Sequence, residues 1–223
     1  MPRKLKSAAR KSRRNRNMVL AIGLLAVVVV AIVVFFVFGQ SSPSNNNSGN
    51  NNSTGLTDDN NGTSSNGPTK VLLQTSMGNI TIQLRDDMPI TAANFKNLVQ
   101  EGTYDGTIFH RVIDDFMIQG GDPTGTGFGD PSIPNIEDEF SSNSTNNRNI
   151  RGTIAMANTG QPNSGSSQFF ISVVYNSHLD NKHPVFGDVI EGMDVVDAIS
   201  KVATDASDKP LQNVTIIKAE ILS

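Results

Sequence analysis

The chain has 223 residues, no cysteine and a formal charge of −3. That length suits one ordinary domain with additions. The lack of thiols excludes a disulfide framework, a thiolate metal centre and a redox pair. The small total charge hides a division: residues 1–17 carry eight Lys or Arg and no acid, while everything after residue 38 carries ten Lys or Arg against all 21 Asp or Glu, a formal charge of −11. An acidic region of that size argues against a nucleic-acid partner.

Met18 to Phe38, MVLAIGLLAVVVVAIVVFFVF, is an uncharged apolar run of 21 residues. At about 1.5 Å per residue it is long enough to cross ~30 Å of hydrocarbon. A cleaved signal peptide needs a shorter apolar region and a small-residue cleavage site, and FVFGQSSPS offers a poor one. A buried core helix would be flanked by folded sequence on both sides. The run is therefore read as an uncleaved anchor in the lipid bilayer, with residues 1–17 as a basic cytoplasmic tail. The remainder is expected on the outer face of the cell membrane, in a single-pass arrangement.

Residues 39–69 are rich in Asn, Ser, Gly and Thr and hold almost nothing apolar. Such a segment cannot offset its ordering entropy by burial, so a disordered linker is expected. With Gly/Ser-like flexibility it would span on the order of 30 Å. It contains Asn-x-Ser/Thr sequons, for example at Asn46, Asn51 and Asn61.

From Lys70 the pattern is that of a folded domain, residues 70–223. KVLLQTSMGNITIQLRD reads as two strands joined at Met77-Gly78-Asn79, with Ile80, Ile82 and Leu84 alternating. Pro89 to Glu101 reads as a helix whose Phe95, Leu98 and Val99 share a face, stopped by Gly102. FHRVIDDFMIQGGD, residues 109–122, is strongly apolar yet contains Arg111 and Gln119. Gly152–Met156, Gln168–Val174 and Val185–Val189 are β-rich runs. GMDVVDAISKV is a second helix with Met193, Val196 and Ile199 on one side, and NVTIIKAEIL closes as a strand. Many strands with Gly-rich turns and two helices suggest a closed, mainly β barrel, and about 150 residues can bury a sizeable core.

The sequence has no His-Glu-x-x-His, no Gly-x-Ser-x-Gly and no Walker-type glycine loop. Gly125-Thr126-Gly127-Phe128-Gly129 lies between Asp122 and Asp130, the wrong charge for a phosphate cradle, and reads as loop turns. His178, Asp180 and His183 are oddly spaced for a metal site, so no metal and no cofactor are expected. His110 reads as a structural hydrogen-bonder, and the acids of NIEDEF as a solvated face.

FHRVIDDFMIQGGDPTGTG, IRGTIAMANTGQPNSGSSQFFISV and HLDNKHPVFGDVIEGMDVVDAI, taken in order, resemble the cyclophilins, a family of peptidyl-prolyl cis-trans isomerases. The resemblance runs from about Val71 to Ile221. It implies an eight-stranded antiparallel β-barrel capped by two α-helices, and an isomerase acting on proline-containing polypeptides. It places the catalytic pair at Arg111 and Gln119. The proline floor falls at Phe116, Met117, Phe170 and Leu179, with Gln168 as a further polar contact. Ala157 and Asn158 match the strand that pairs with the peptide backbone, and His183 matches the edge of the pocket. The catalytic domain is expected to be monomeric. The leading expectation is thus a membrane-tethered foldase; a non-catalytic proline-peptide module or holdase, or a stalked adhesin, is the rival. A charge inside an apolar wall favours catalysis.

The chain departs from the family at three places. Asp114-Asp115 stand in the turn often made by Pro-Gly, and are expected to pair with Arg111 or to repel acidic substrates. The loop NTGQPNSGSSQ is slightly longer than in eukaryotic members. His178 stands where a tryptophan often precedes Leu-Asp and contributes to cyclosporin binding. Inhibition of isomerisation by cyclosporin is therefore predicted to be weak, and a titration showing nanomolar inhibition would contradict that expectation.

Overall fold

The computed structural model describes residues 67–222. The proposed tail and anchor, and all of the linker up to residue 66, lie outside the described residues. Among the described residues no helix is long and apolar enough to cross a membrane.

Eight strands and two helices follow in the order β1 Lys70–Thr75, β2 Gly78–Leu84, α1 Pro89–Gln100, β3 Arg111–Ile113, β4 Met117–Gly120, β5 Thr153–Met156, β6 Phe169–Ser172, β7 Val185–Glu191, α2 Met193–Ser200 and β8 Ile216–Leu222. All eight strands belong to one antiparallel sheet, ordered β3-β4-β6-β5-β7-β2-β1-β8. The apolar stretch at residues 109–118 resolves into the β3–β4 hairpin, in which Ile113 faces Met117 and Asp115 takes the left-handed conformation at φ 55°. Aspartate tolerates that conformation better than most residues.

The expected closed barrel is met only in part, because β3 and β8 end the ladder without pairing to each other. β3 is too short to supply a closing edge. The chain before it stitches the seam instead: Phe109 N–H donates to Val214 O at 2.9 Å and Ile216 N–H to Thr107 O at 2.8 Å. The free edge of β3 is covered by the segment after α2, where Asp208 O accepts from Val112 N–H at 2.8 Å.

The concave side holds the main core. Val71, Leu73, Ile80 and Ile82 alternate into it from β1 and β2, and Val112, Ile118, Ile154, Phe169, Ile171 and Phe186 from the other strands. Helix α1 contributes Phe95, whose ring lies 5.1 Å from Tyr104 and from Phe186 and packs edge-on to Phe169 at 5.5 Å. Such aromatic arrangements add to the area they bury. Helix α2 contributes Val196 and Ile199. Its N-cap is Gly192 at φ 85°, where a side chain would run into the Asn79 carbonyl, so glycine is required both by conformation and by space.

Helix α1 has Pro89 in its first turn and no cap from its own side chains. The cap comes from Glu139, whose carboxylate accepts from Ile90 N–H at 3.1 Å and Thr91 N–H at 2.9 Å. Nearby Asp138 accepts from Asn163 N–H at 2.9 Å, and its own N–H donates to Asn163 Oδ1 at 2.8 Å. The acids of NIEDEF are thus structural ties and not merely a solvated face, and only Glu137 remains exposed. Glu139→Ala frees two helix-end donors and opposes the favourable end charge, a loss of about 1–2 kcal/mol. A denaturant titration should show a lower midpoint at unchanged slope, with Glu139→Gln recovering part of it.

Candidate active site

Strands β3 to β7 place apolar residues on both faces of the sheet. Beside the main core lies a second cluster made by Met117, Ala155, Phe170 and Val185, with Ile113, Phe116, Ala157 and Leu179 packed against it. Because side chains alternate along a strand, each member is the sequence neighbour of a core residue: Met117 of Ile118, Ala155 of Ile154, Phe170 of Phe169, Val185 of Phe186. Register then aligns one row across the strands. Arg111 faces Gln119, Gln119 faces Phe170, Phe170 faces Ala155, and Ala155 faces Val185. The charge and the amide therefore stand at one end of the same row that carries the outer apolar patch.

Arg111 remains 43% exposed at its side chain, and its Nε lies 3.5 Å from Asp208 Oδ2. An ion pair this exposed contributes little to stability. It does give the guanidinium a direction, because Asp208 is fixed in a left-handed turn at φ 65° whose carbonyl binds β3. The expected pairing with Asp114-Asp115 is not made. Both are exposed, and Asp114 Oδ1 instead accepts from Asp115 N–H at 3.0 Å. The carboxylate beside Arg111 comes instead from Asp208, in the segment that covers the edge of β3.

Gln119 Nε2 donates to Gln168 Oε1 at 3.0 Å, and Gln168 Nε2 donates to Gly127 O at 3.1 Å. The two amides are thereby oriented, with Gln119 opposite Arg111 in the strand register. The Phe116 ring stacks on His178 with centroids 5.6 Å apart, and the carbonyl of Phe116 accepts from Val173 N–H and from Asn176 Nδ2, both at 3.0 Å. Leu179 ends the short 3-10 turn Ser177–Leu179 and rests on the outer cluster. His183 lies edge-on to Phe170 at 5.4 Å, with Nδ1 3.2 Å from Met156 O. Asn158 Nδ2 donates to Lys182 O at 2.8 Å, and Ala157 N–H donates to Gln168 O at 3.0 Å.

The residues expected from sequence thus fall into two adjoining groups. Arg111, Phe116, Met117, Phe170, Leu179 and His183 surround the outer apolar patch. Gln119, Gln168, Ala157 and Asn158 line a cleft of about 800 Å³ beside it, with Gln119 as the link. Sequence reading missed Asp208, buried Asn176 and the outer-patch members Ala155 and Val185. Val185 was legible only as a strand residue, and Asp208 carried no signal at all.

Other candidate roles resolve differently. The glycine loop after Asp122 does form an anion cradle, but Asp122 fills it: its carboxylate accepts N–H bonds from Thr124 at 2.9 Å, Thr126 at 3.1 Å, Gly127 at 2.7 Å and Gly129 at 3.3 Å. His110 is buried with neither ring nitrogen hydrogen-bonded, so it does not act as the hydrogen-bonder expected. Among the described residues no group of three His, Asp or Glu could hold a metal. Asp180 accepts from Asn149 N–H at 2.8 Å and from the Tyr175 hydroxyl at 2.7 Å, which fixes the turn bearing His178.

The family model for cyclophilin type peptidyl-prolyl cis-trans isomerase/CLD matches residues 70–221, both helices and all but the last residue of this sheet. The chain belongs to the cyclophilin-type peptidyl-prolyl cis-trans isomerases. Peptidyl-prolyl cis-trans isomerase ppi1 of Schizosaccharomyces pombe is 48% identical over 153 residues, covering 68% of this chain and 98% of the relative. Peptidyl-prolyl cis-trans isomerase-like 1 of Homo sapiens is 44% identical over 153 residues, 68% of this chain and 92% of the relative. A crystal structure of a Cryptosporidium parvum cyclophilin type peptidyl-prolyl cis-trans isomerase superimposes with a TM-score of 0.65 at 32% identity, covering 70% of this chain and 98% of that one. The same Cryptosporidium protein has been crystallised in the presence of the dipeptide Ala-Pro.

In this isomerase, burial pulls both His110 and His183 below the ordinary 6.5; the nearby Asp122 carboxylate opposes the effect at His110, and the Met156 carbonyl opposes it at His183. Both are neutral when folded at pH 7, and below 6.5 the unfolded chain binds protons that the folded one does not. Their contribution is complete above the unfolded value and is lost as pH falls through 6.5 towards the folded values. A second loss comes below about pH 4, where the unfolded carboxylates already bind protons and the lowered groups follow. Asp87 is lowered by hydrogen bonds from Ser141 and Asn146; at Asp122 burial pushes upward, but the bonds from Thr124, Gly127 and Gly129 outweigh it. Denaturation series from pH 8 to 3 should show two descending steps, and His183→Gln should diminish the first.

Proposed function

We propose that this isomerase accelerates rotation about X-Pro bonds in polypeptides outside the cytoplasmic membrane, with Arg111 as its electrostatic catalyst. The carrying observation is the cross-strand row in which a half-exposed guanidinium adjoins the apolar patch of Met117 and Phe170. Gln119 is its polar partner. Phe116, Met117, Phe170 and Leu179 receive the proline ring, His183 bounds it, and Ala157, Asn158 and Gln168 hold the peptide backbone. The outward placement rests on the apolar run at residues 18–38 preceded by eight basic residues, and the folding role on exported chains follows from it.

Rotation about an X-Pro bond crosses ~20 kcal/mol and takes tens of seconds or longer unaided. No bond breaks, so neither a nucleophile nor a base is required. As the amide twists it loses resonance, and the prolyl nitrogen gains lone-pair character. A fixed N–H donor then gains a hydrogen bond that is weak in the planar state, and this difference lowers the barrier. Arginine suits the task because it stays charged and presents a rigid fork. A thousandfold acceleration corresponds to about 4 kcal/mol. One charge-assisted hydrogen bond supplies about 1.5–3 kcal/mol. The remainder is assigned to the apolar patch, which anchors the ring and favours the less polar twisted amide. Charge and wall must therefore be neighbours.

Two variants test this reading in the full-length chain. Arg111→Ala should lower kcat/KM for a proline peptide by about 10- to 150-fold, the range that this hydrogen bond implies, with far-UV circular dichroism unchanged. Arg111→Lys should recover little, since the charge returns without the fork. Rates for wild type and Arg111→Ala that are equally slow, no faster than unaided rotation, would mean that the groove only binds, and equally fast rates would remove Arg111 from the mechanism. For placement, protease added outside intact cells should cleave the catalytic domain, and full protection would contradict an outward location.

A further inference from the structure

The cleft beyond Gln119 has a chemistry of its own. Its volume is about 800 Å³, and its outer wall is the loop running from Gly127 to Asn135. Phe128 stands on that wall with its side chain in water, 96% exposed. The loop beneath it is stiff, because Asp122 binds the N–H groups of Thr124, Thr126, Gly127 and Gly129, and Thr126 Oγ1 accepts from Phe128 N–H at 3.2 Å. A large aromatic held rigidly in solvent beside a cavity marks a contact surface more than a lapse of packing. Pro131, Ile133 and Pro134 extend the wall as apolar surface.

Among the described residues lining the cleft, Asp130 carries the charge. Ser132 N–H at 2.8 Å and Ser132 Oγ at 2.7 Å both donate to Asp130 Oδ1, which leaves Oδ2 without a partner among the described residues. One nearby cation is engaged elsewhere: Lys209 Nζ lies 3.5 Å from Gly125 O. Three residues past Asn135, Asp138 is clasped to Asn163 and adds to the negative potential.

An aromatic face, an apolar wall and a carboxylate with a free oxygen together match one kind of side chain: a methylene stem ending in a cation. We propose that the cleft selects a lysine or arginine flanking the substrate proline, with Phe128 and Asp130 as the specificity-determining residues. This rests on the proline occupying the outer apolar patch. Gln119 lies two residues past Met117 on β4, about 7 Å at the rise of a strand, so roughly two residues of extended peptide separate the proline from the cleft.

The test uses the full-length chain and peptides with one proline, carrying Lys, Ala or Glu singly at each of the three positions on either side. Both kcat/KM and Kd are measured for each. One position should order the peptides Lys, Ala, Glu in falling efficiency, with a Lys-to-Glu ratio of about tenfold at low ionic strength that shrinks as salt screens it. Asp130→Asn should bring the ratio towards one, and Asp130→Lys should invert it. Phe128→Ala, at a ring that supports no core, should weaken the Lys peptide and spare the Glu peptide. Arg111→Ala should slow every peptide alike while the Kd ratio persists, which separates failure of the catalytic reading from failure of this one. The inference is overturned if no position distinguishes Lys from Glu, or if the ratio survives in both the Asp130→Asn and Phe128→Ala variants.

Discussion

Strand register is the constraint from which the rest of this domain follows. Five strands pair so that Arg111, Gln119, Phe170, Ala155 and Val185 form one row, while their sequence neighbours enter the core. Because alternation has a period of two, a slip of one residue anywhere in this ladder would exchange the two faces. The core holds the register: Ile118, Ile154, Phe169, Ile171 and Phe186 have no other place to be buried. Stability and site geometry are therefore specified by the same pairing. A large buried interior on one face obliges a second, smaller apolar patch on the other to keep its alignment with a charge.

The acidic balance of the domain has a structural counterpart in its loops. Asp122 folds the glycine loop around itself, Glu139 caps a helix that has no cap of its own, and Asp180 anchors the turn beneath His178 and Leu179. In each case a carboxylate takes up backbone N–H groups that irregular chain would otherwise leave unpaired. Loops fixed in this way can carry side chains such as Phe128 in defined positions without help from a core. The same device guides Arg111: Asp205 Oδ1 accepts from Ser207 N–H at 2.7 Å and Lys209 N–H at 3.1 Å, which fixes the turn whose Asp208 pairs with the guanidinium.

Much of the fold was legible because its signals are local. Alternation in Ile80, Ile82 and Leu84, and the shared face of Phe95, Leu98 and Val99, need only a few residues to read. The β3–β4 hairpin was harder. Apolar residues on both faces erase the alternation, so residues 109–118 resemble one continuous core segment until Asp115 is seen to turn the chain. Closure of the barrel was over-read, because nothing in the sequence reveals that β3 spans only three residues. At the site, motif resemblance brought the named residues into two adjoining groups. The partner of Arg111 was misjudged: sequence proximity favoured Asp114 and Asp115, while the fold delivers Asp208 from a distant loop. Glu139 was likewise illegible, since its two acceptor bonds depend on where a helix 48 residues earlier begins.

The central claim is that a proline peptide occupies the outer face of β3, β4 and β6, next to Arg111. The most direct measurement is a side-chain-resolved NMR titration with a proline peptide. Adjacent residues on opposite faces serve as internal controls. The account predicts that the methyl of Met117, the ring of Phe170 and the Arg111 Nε–H shift on binding, while the methyls of Ile118 and Val112 and the ring of Phe169 stay in place. Shifts centred on the inner residues, or on a surface remote from Arg111 such as that around Met77 and Leu211, would contradict it.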